Sequence, residues 1–444
     1  MSVLNKLKLF PEQNQIGRNL VILVVGEGLS RIIYAIAFIH ITRVFTPDQY
    51  GLIELILAIL MVLLIVVDLG LGVIGTREIA KSNEQTDHLV RDIVSMQFGL
   101  AIFILIALSF TMIVLPIDQL LKILMIGYGI SLLGYPLNLN WVFQGWNRMS
   151  WVTIPQIFRQ LVFALLVFAF IRTPNQILIL PLIEIISVAF LALVNLWAYL
   201  RYRKRFRIDL FGAWRSKLYR LSIPIGGSQL IWALRMYLPT ILLAGLVGRS
   251  SVGFFGAPHR VVMVLQGLLI VYFVNLLPNL SQAFHQSRTN FIELIRLSMK
   301  FLIWPTILFA AVISILSRQI IQWLFGQLYV QGNASNILVI LVWLLPILVW
   351  RSHGRNSLVV IDQQREEMVC SVIGLVTLFC LLIPLSLLLK GVGTSLAMLV
   401  SELTATVLTW WRVRKHLPEI GISCLFFQFP SASIFYDFPN IPKP

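Results

Sequence analysis

The chain has 444 residues, 58% of them hydrophobic and only 12% charged, with a formal net charge of +16 at pH 7 and a mean hydropathy of +0.86. Soluble domains carry about 25% charged residues, so this composition excludes a water-covered globule and calls for lipid as the solvent. Cys370, Cys380 and Cys424 show no paired spacing, which excludes a disulfide framework and a cysteine metal site.

Residues 1–18 are mixed and basic, and the apolar run behind them is too long for a signal-peptide core, so it reads as a first membrane anchor. A spanning helix needs about 20 predominantly apolar residues. About twelve such segments follow in order: 18–44, 49–72, 89–114, 117–143, 151–172, 177–202, 218–247, 251–280, 291–317, 333–361, 367–389 and 391–413. Short turns such as Thr46-Pro47-Asp48 and Arg172-Thr173-Pro174-Asn175 separate them. The basic stretch 201–220 is the only sizeable polar connector and divides six spans from six. The expected layout is an all-α integral membrane protein with a six-helix lobe over 1–217 (its connector at 201–217) and a second over 218–415. A cytoplasmic or interfacial tail follows over 416–444, aromatic, proline-rich and broken by Pro430.

Placing the N-terminus in the cytoplasm puts 23 Lys and Arg on the inner face, 6 on the outer face and 6 within spans. That asymmetry predicts both termini inside, and it accounts for the excess charge without nucleic acid. The halves also look related: Tyr50-Gly51-Leu52 after the first span resembles Val252-Gly253-Phe254 after the seventh. Transporters are often built from two such repeats with the substrate site between them.

Ionisable residues inside spans cost roughly 2.5–3.5 kcal/mol each and usually face a cavity or a partner. Six arginines qualify, Arg31, Arg159, Arg235, Arg260, Arg351 and Arg355, against Glu27, Glu54, Glu184, Glu402 and Asp68. Arg31 and Arg235 fall near mid-depth in equivalent spans, Arg260 lies beside His259, and Arg351 and Arg355 are four apart on one helical face. One reading is a cationic cavity for a phosphate or diphosphate, since the planar guanidinium donates two parallel hydrogen bonds and stays charged. The other is internal pairing, in which Glu27 meets Arg31 and Glu402 neutralises an arginine from another helix. Arg159, Arg351 and Arg355 approach the inner interface and could snorkel there, while Glu54 and Glu184 sit near outer span ends. Glu402 and His259 are the candidates for titration or for a coupling cation. Pro224, Pro239, Pro278 and Pro346, with Gly226-Gly227, serve as hinges or as kinks that shape a cavity.

There is no Walker A or B pattern, no metal-ligand spacing and no G-x-S-x-G turn, so neither an ATPase nor a metal cofactor is expected. The longest outer loop, roughly 318–332, is short for an enzyme acting on polymeric substrate.

Asp68-Leu69-Gly70-Leu71-Gly72, running into Thr76-Arg77-Glu78-Ile79-Ala80, resembles the second span and following loop of polysaccharide flippases. Asn140-Trp141-Val142-Phe143-Gln144-Gly145-Trp146-Asn147-Arg148-Met149 is similar to their aromatic Gln-Gly signature, Val252 through Arg260 to the start of their span 8, and Gly391 through Glu402 to the entry of their last span. Over about 16–415 the chain thus resembles the O-antigen flippase branch of the multidrug/oligosaccharidyl-lipid/polysaccharide exporter superfamily. The resemblance implies a two-lobed, V-shaped bundle of twelve helices in the inner membrane of a bacterium. It also implies a flippase of undecaprenyl-diphosphate-linked oligosaccharide acting by alternating access, alongside membrane lipids and a polysaccharide polymerase complex. It supports Arg31, Arg235 and Arg260 as cavity residues only in kind, and it leaves coupling by H+ or Na+ open. The chain departs from the pattern at Asn147 and at Asn175-Gln176, where the family often carries acids. Rival readings are a cation-coupled exporter of small amphiphiles, which would favour acids over arginines in its cavity, a membrane glycan polymerase or ligase, and a structural partner of a glycan assembly complex.

Overall fold

Lipid offers a backbone no hydrogen-bond partners, so long apolar stretches satisfy their own N–H and C=O groups by coiling. The computed structural model describes residues 11–82, 86–203, 206–210 and 218–419, and no strand occurs among them. The first half contains α1 (Pro11–Val44), α2 (Pro47–Asp68), α3 (Leu71–Lys81), α4 (Thr86–Val114), α5 (Gln119–Ile130), α6 (Asn140–Gly145), α7 (Met149–Phe170) and α8 (Ile179–Tyr202). The second contains α9 (Leu218–Leu246), α10 (Arg249–Gln286), α11 (Arg288–Ile315), α12 (Ser317–Phe325), α13 (Gln327–Gln331), α14 (Ala334–Val342), α15 (Leu344–Val360) and α16 (Gln364–His416). The tail beyond 419 lies outside the described residues, as do 204–205 and 211–217 of the basic connector.

Among the described residues, eleven helical runs are long and apolar enough to cross a membrane. The last of them, α16, has 53 residues, or about 80 Å at 1.5 Å per residue, far more than one crossing of a hydrocarbon layer about 30 Å thick. Lys390 breaks it, with φ 53° and ψ −132°. The two arms fold back on each other: Ser386 Oγ meets Thr394 Oγ1 at 2.8 Å, and Ser401 Oγ donates to the Gly374 carbonyl at 2.8 Å. The eleven runs therefore supply the twelve crossings expected from the sequence. Pro136 sits in the short 3-10 turn Ser131–Leu137 that interrupts the fourth crossing, and Trp343 joins α14 to α15 within the tenth. Large apolar side chains such as Phe103, Ile113, Phe301 and Leu388 point outward, as a lipid solvent allows.

The halves meet through α1 and α2 on one side and α9 and α10 on the other. The end of the bundle where α8 finishes and α9 begins is the basic end. At the opposite end, α2 and α10 start side by side. A methyl group on Gly51 would strike the Arg249 carbonyl, and one on Gly253 would strike the Pro47 carbonyl. The two glycines of the repeated sequence thus pack helix backbone against helix backbone. At the basic end, Leu69 and Gly70, both at positive φ (46° and 76°), turn α2 into α3 against Gly226 of α9. Two of the signature segments also meet there: the Trp141 ring covers Gly75, and Thr76 Oγ1 donates to the Trp141 carbonyl at 3.0 Å.

Candidate substrate cavity

A cavity of about 470 Å³ opens within the second half, between α9, α10, α15 and α16. Helical spacing explains its walls. Ser228, Trp232 and Arg235 recur on one face of α9; Arg351 and Arg355 stack on one face of α15; Glu367 and Ser371 do the same at the start of α16. Gln364 and Arg365, at the start of α16, also line it. Its charged lining is Arg235, Arg351, Arg355, Arg365, Glu367 and Glu402. Four cations face two carboxylates, leaving an excess of two positive charges.

Glu402 organises the floor. Its Oε1 lies 2.5 Å from Arg235 Nη2 and its Oε2 2.6 Å from Arg351 Nη1. Arg351 also donates to Ser371 Oγ at 2.8 Å, and Ser371 donates to Glu367 at 2.8 Å. Burying a charge is tolerable only when it is paired and hydrogen-bonded, and this network provides that for Arg235 and Arg351, both only 9% exposed. Arg355 is different. It is half-buried in the wall, and its guanidinium has no ion pair or hydrogen bond to another described residue.

The structure brings Arg235, Arg351, Arg355 and Glu402 together at this cavity and leaves the other sequence candidates elsewhere. Arg31 pairs with Glu27 at 2.7 Å along α1, and its guanidinium covers Gly267 of α10. Arg260 crosses the halves to Glu54 at 2.7 Å, lies 3.5 Å from the Phe38 ring centroid, and shares Glu54 with the Tyr50 hydroxyl. His259 is buried and stacked on Phe255, and its Nε2 has no partner among the described residues. Arg159 pairs with Glu184 at 2.5 Å. Glu54 and Glu184, read from the sequence as lying near outer span ends, are half-buried partners of arginines, because a neighbouring helix supplies a cation before solvent does. Arg351 does not snorkel either, since Glu402 holds it inside. Glu367 and Ser371 were missed in the sequence. Their i, i+4 spacing, the same as that of Arg351 and Arg355, was the available signal.

The opposite end is closed across the halves. Arg249 Nη1 binds Asp118 Oδ2 at 2.8 Å, Ser250 donates to Asp48 at 3.2 Å, and Arg43 donates to the carbonyls of Trp323 and Leu324. The hydrogen bond from Arg249 holds the Asp118 carboxyl below its ordinary range, helped by the α5 N-terminus that Asp118 caps. The cavity lining reaches Gln364 and Arg365 at the start of α16, whereas the contacts that join the halves at the opposite end involve none of its residues.

The family described as polysaccharide biosynthesis protein matches residues 16–284. The chain belongs to that family. Among curated relatives of this polysaccharide biosynthesis protein, the putative O-antigen transporter of Escherichia coli (strain K12) is 24% identical over 409 residues, covering 90% of this chain and 97% of that relative. The putative O-antigen transporter of Shigella dysenteriae is 25% identical over 271 residues, covering 60% of this chain and 67% of that relative. The fold of this family member is shared with the lipid II flippase MurJ in an inward closed conformation, at a TM-score of 0.73 and 13% identity over 91% of each chain. It is shared too with an inward-facing multidrug resistance transporter of the MATE family in the MOP superfamily, at a TM-score of 0.66 and 15% identity over 90% of this chain and 96% of that one. It is a multi-pass membrane protein with the superfamily fold.

Proposed function

We propose that this polysaccharide biosynthesis protein is a flippase, a transporter and not an enzyme, for polysaccharide units carried on a polyprenyl diphosphate. The finer reading is that it turns an undecaprenyl-diphosphate-linked oligosaccharide from the cytoplasmic to the periplasmic leaflet of a bacterial inner membrane by alternating access. The basic end then faces the cytoplasm. The observation that carries the reading is the charge of the cavity. A diphosphate diester holds about two negative charges near neutral pH, because each phosphate retains one strongly acidic oxygen, and the wall offers an excess of two positive charges. Arg355 is the open docking point, and Arg351 can exchange Glu402 for a phosphate oxygen without leaving a buried charge bare.

Diphosphate and sugars cannot enter hydrocarbon, whereas the polyprenyl chain needs no shelter from it. A cavity that binds the headgroup, closes at the basic end and opens at the other moves the polar part while the tail stays in lipid. The names of the curated relatives and of the flippase with this fold support the same reading. The test is headgroup translocation in liposomes holding only the purified chain, comparing a fluorescent polyprenyl-diphosphate sugar with a cationic amphiphile of similar size. Movement of the diphosphate substrate alone is expected. Movement of the cationic amphiphile alone would replace this reading with a small-amphiphile exporter.

A further inference from the structure

The most specific signature segment, Asn140–Met149, takes no part in the cavity. Its last turn opens onto a chain of aromatic rings and arginines at the basic end of the first half. The Arg148 guanidinium carbon sits 4.1 Å above the Tyr202 ring centroid. Trp151 Nε1 donates to the Tyr202 hydroxyl at 3.1 Å, and the Trp151 ring lies 6.0 Å from that of Trp197. The Arg201 guanidinium carbon is 5.7 Å from the Trp197 ring centroid. The strip therefore runs from one arginine through three rings to another.

Both arginines are exposed, and neither guanidinium has an ion pair or hydrogen bond to another described residue. The rings fix each guanidinium plane by cation–π attraction yet consume none of its five N–H donors. Nearby, Asp87 is engaged by Arg203 at 3.8 Å and by the Tyr199 hydroxyl at 2.8 Å, so it does not neutralise Arg148 or Arg201. An oxyanion with a planar, two-oxygen face is the ligand such forks fit.

The surface leading away from the strip is apolar and faces outward. On α7, Ile154, Phe158 and Leu165 are exposed at helical spacing, and on α8 Leu193 continues the stripe from Trp197. A ligand seated here has its anionic group at the arginines and its apolar part along two lipid-facing helices. None of these residues lines the cavity in the second half.

We infer that the Arg148–Tyr202–Trp151–Trp197–Arg201 strip binds the phosphate of an anionic phospholipid in the leaflet at the basic end. The bound lipid seats the first half in the bilayer at the point where α7 begins and α8 ends. It is a separate site from the cavity and does not depend on the flippase reading.

The test uses the full chain purified in detergent, with phosphatidylglycerol as the probe, phosphatidylcholine of the same acyl chains as the uncharged comparison, and inorganic phosphate as the free anion. Native mass spectrometry counts retained lipid, and thermal unfolding reads protection. Phosphatidylglycerol is expected to be retained and to raise the unfolding temperature, and phosphatidylcholine to do neither. The double variant Arg148→Gln, Arg201→Gln is expected to lose about tenfold in phosphatidylglycerol affinity, as the loss of two guanidinium forks predicts. Equal retention of the two lipids, or undiminished affinity in the variant, overturns the inference. So does protection by inorganic phosphate alone, which marks a free-anion site. Should the double variant not fold, Arg201→Gln at its exposed helix end is measured in the same way, and unchanged retention overturns the inference.

Discussion

Arg355 and Glu402 divide the work of the cavity between an open cation and a structural anion. Replacing Arg355 by Gln keeps most of the side-chain volume and removes the unpaired charge from the wall. A charge-assisted hydrogen bond contributes about 1.5–3 kcal/mol, so translocation of a diphosphate-linked substrate is expected to fall by roughly 10- to 100-fold, with unchanged protein levels in the membrane. Glu402→Gln acts on the fold first. It strips the main carboxylate from two buried arginines, and breaking a buried pair costs about 3–5 kcal/mol. A marked drop in unfolding temperature in detergent is expected, and the double change Arg235→Gln, Glu402→Gln should recover part of it. An unchanged unfolding temperature in Glu402→Gln would mean the arginines are already solvated, and the floor described here would be wrong. The sequence marked Arg235, Arg351, Arg355 and Glu402 as costly in lipid, but it marked Arg31, Arg159, Arg260, Glu27, Glu54 and Glu184 on the same ground. It did not tell which arginine keeps a free charge, because that depends on helix neighbours far apart in the chain, such as Glu402 beside Arg235.

The crossings themselves were legible because a spanning helix needs only length and apolarity, and both are local properties. What was hidden are the breaks and contacts made by single backbones. Lys390 reads as an ordinary turn residue, yet its φ of 53° with ψ of −132° lies where only glycine is at ease. Lys390→Gly is expected to raise stability by about 1 kcal/mol, read as a small rise in unfolding temperature. A fall would show that the lysine side chain matters more than the strain. The resemblance between Tyr50-Gly51-Leu52 and Val252-Gly253-Phe254 was visible, but not that the two glycines would end in contact. The contact is made by residues 202 apart in the chain, where α2 and α10 start side by side. Gly253→Leu places a side chain against the Pro47 carbonyl and is expected to push α2 and α10 apart at the end opposite the basic one. Increased labelling of a cysteine placed at Ser250, reached from that side, checks it.

Across the whole molecule, the end opposite the basic one is latched by contacts between the halves. The Asp118–Arg249 pair is the ion pair of that latch, and its carboxylate is exposed to water. Asp118 has its pKa lowered by that partner, so the pair contributes its full stabilisation above the ordinary aspartate value, about pH 3.9, and loses it as the pH falls through the lower value in the folded protein. Closure at this end is therefore expected to be insensitive to pH between about 5 and 8 as far as this pair is concerned, whereas Asp118→Asn loosens it at neutral pH; the labelling of Ser250→Cys reads both. In the proposed reading the basic end is assigned to the cytoplasm by the distribution of basic residues, a property of the whole chain that no single contact supplies. The central claim is that the arginine cavity of the second half carries the headgroup. The most direct measurement is the rate of fluorescent polyprenyl-diphosphate sugar translocation in liposomes for the unmodified chain, for Arg355→Gln and for Arg31→Gln. The account predicts movement by the unmodified chain, near-complete loss in Arg355→Gln, and a much smaller effect in Arg31→Gln, whose charge is spent on Glu27. Full activity in Arg355→Gln with loss in Arg31→Gln would contradict it and place the headgroup between the halves.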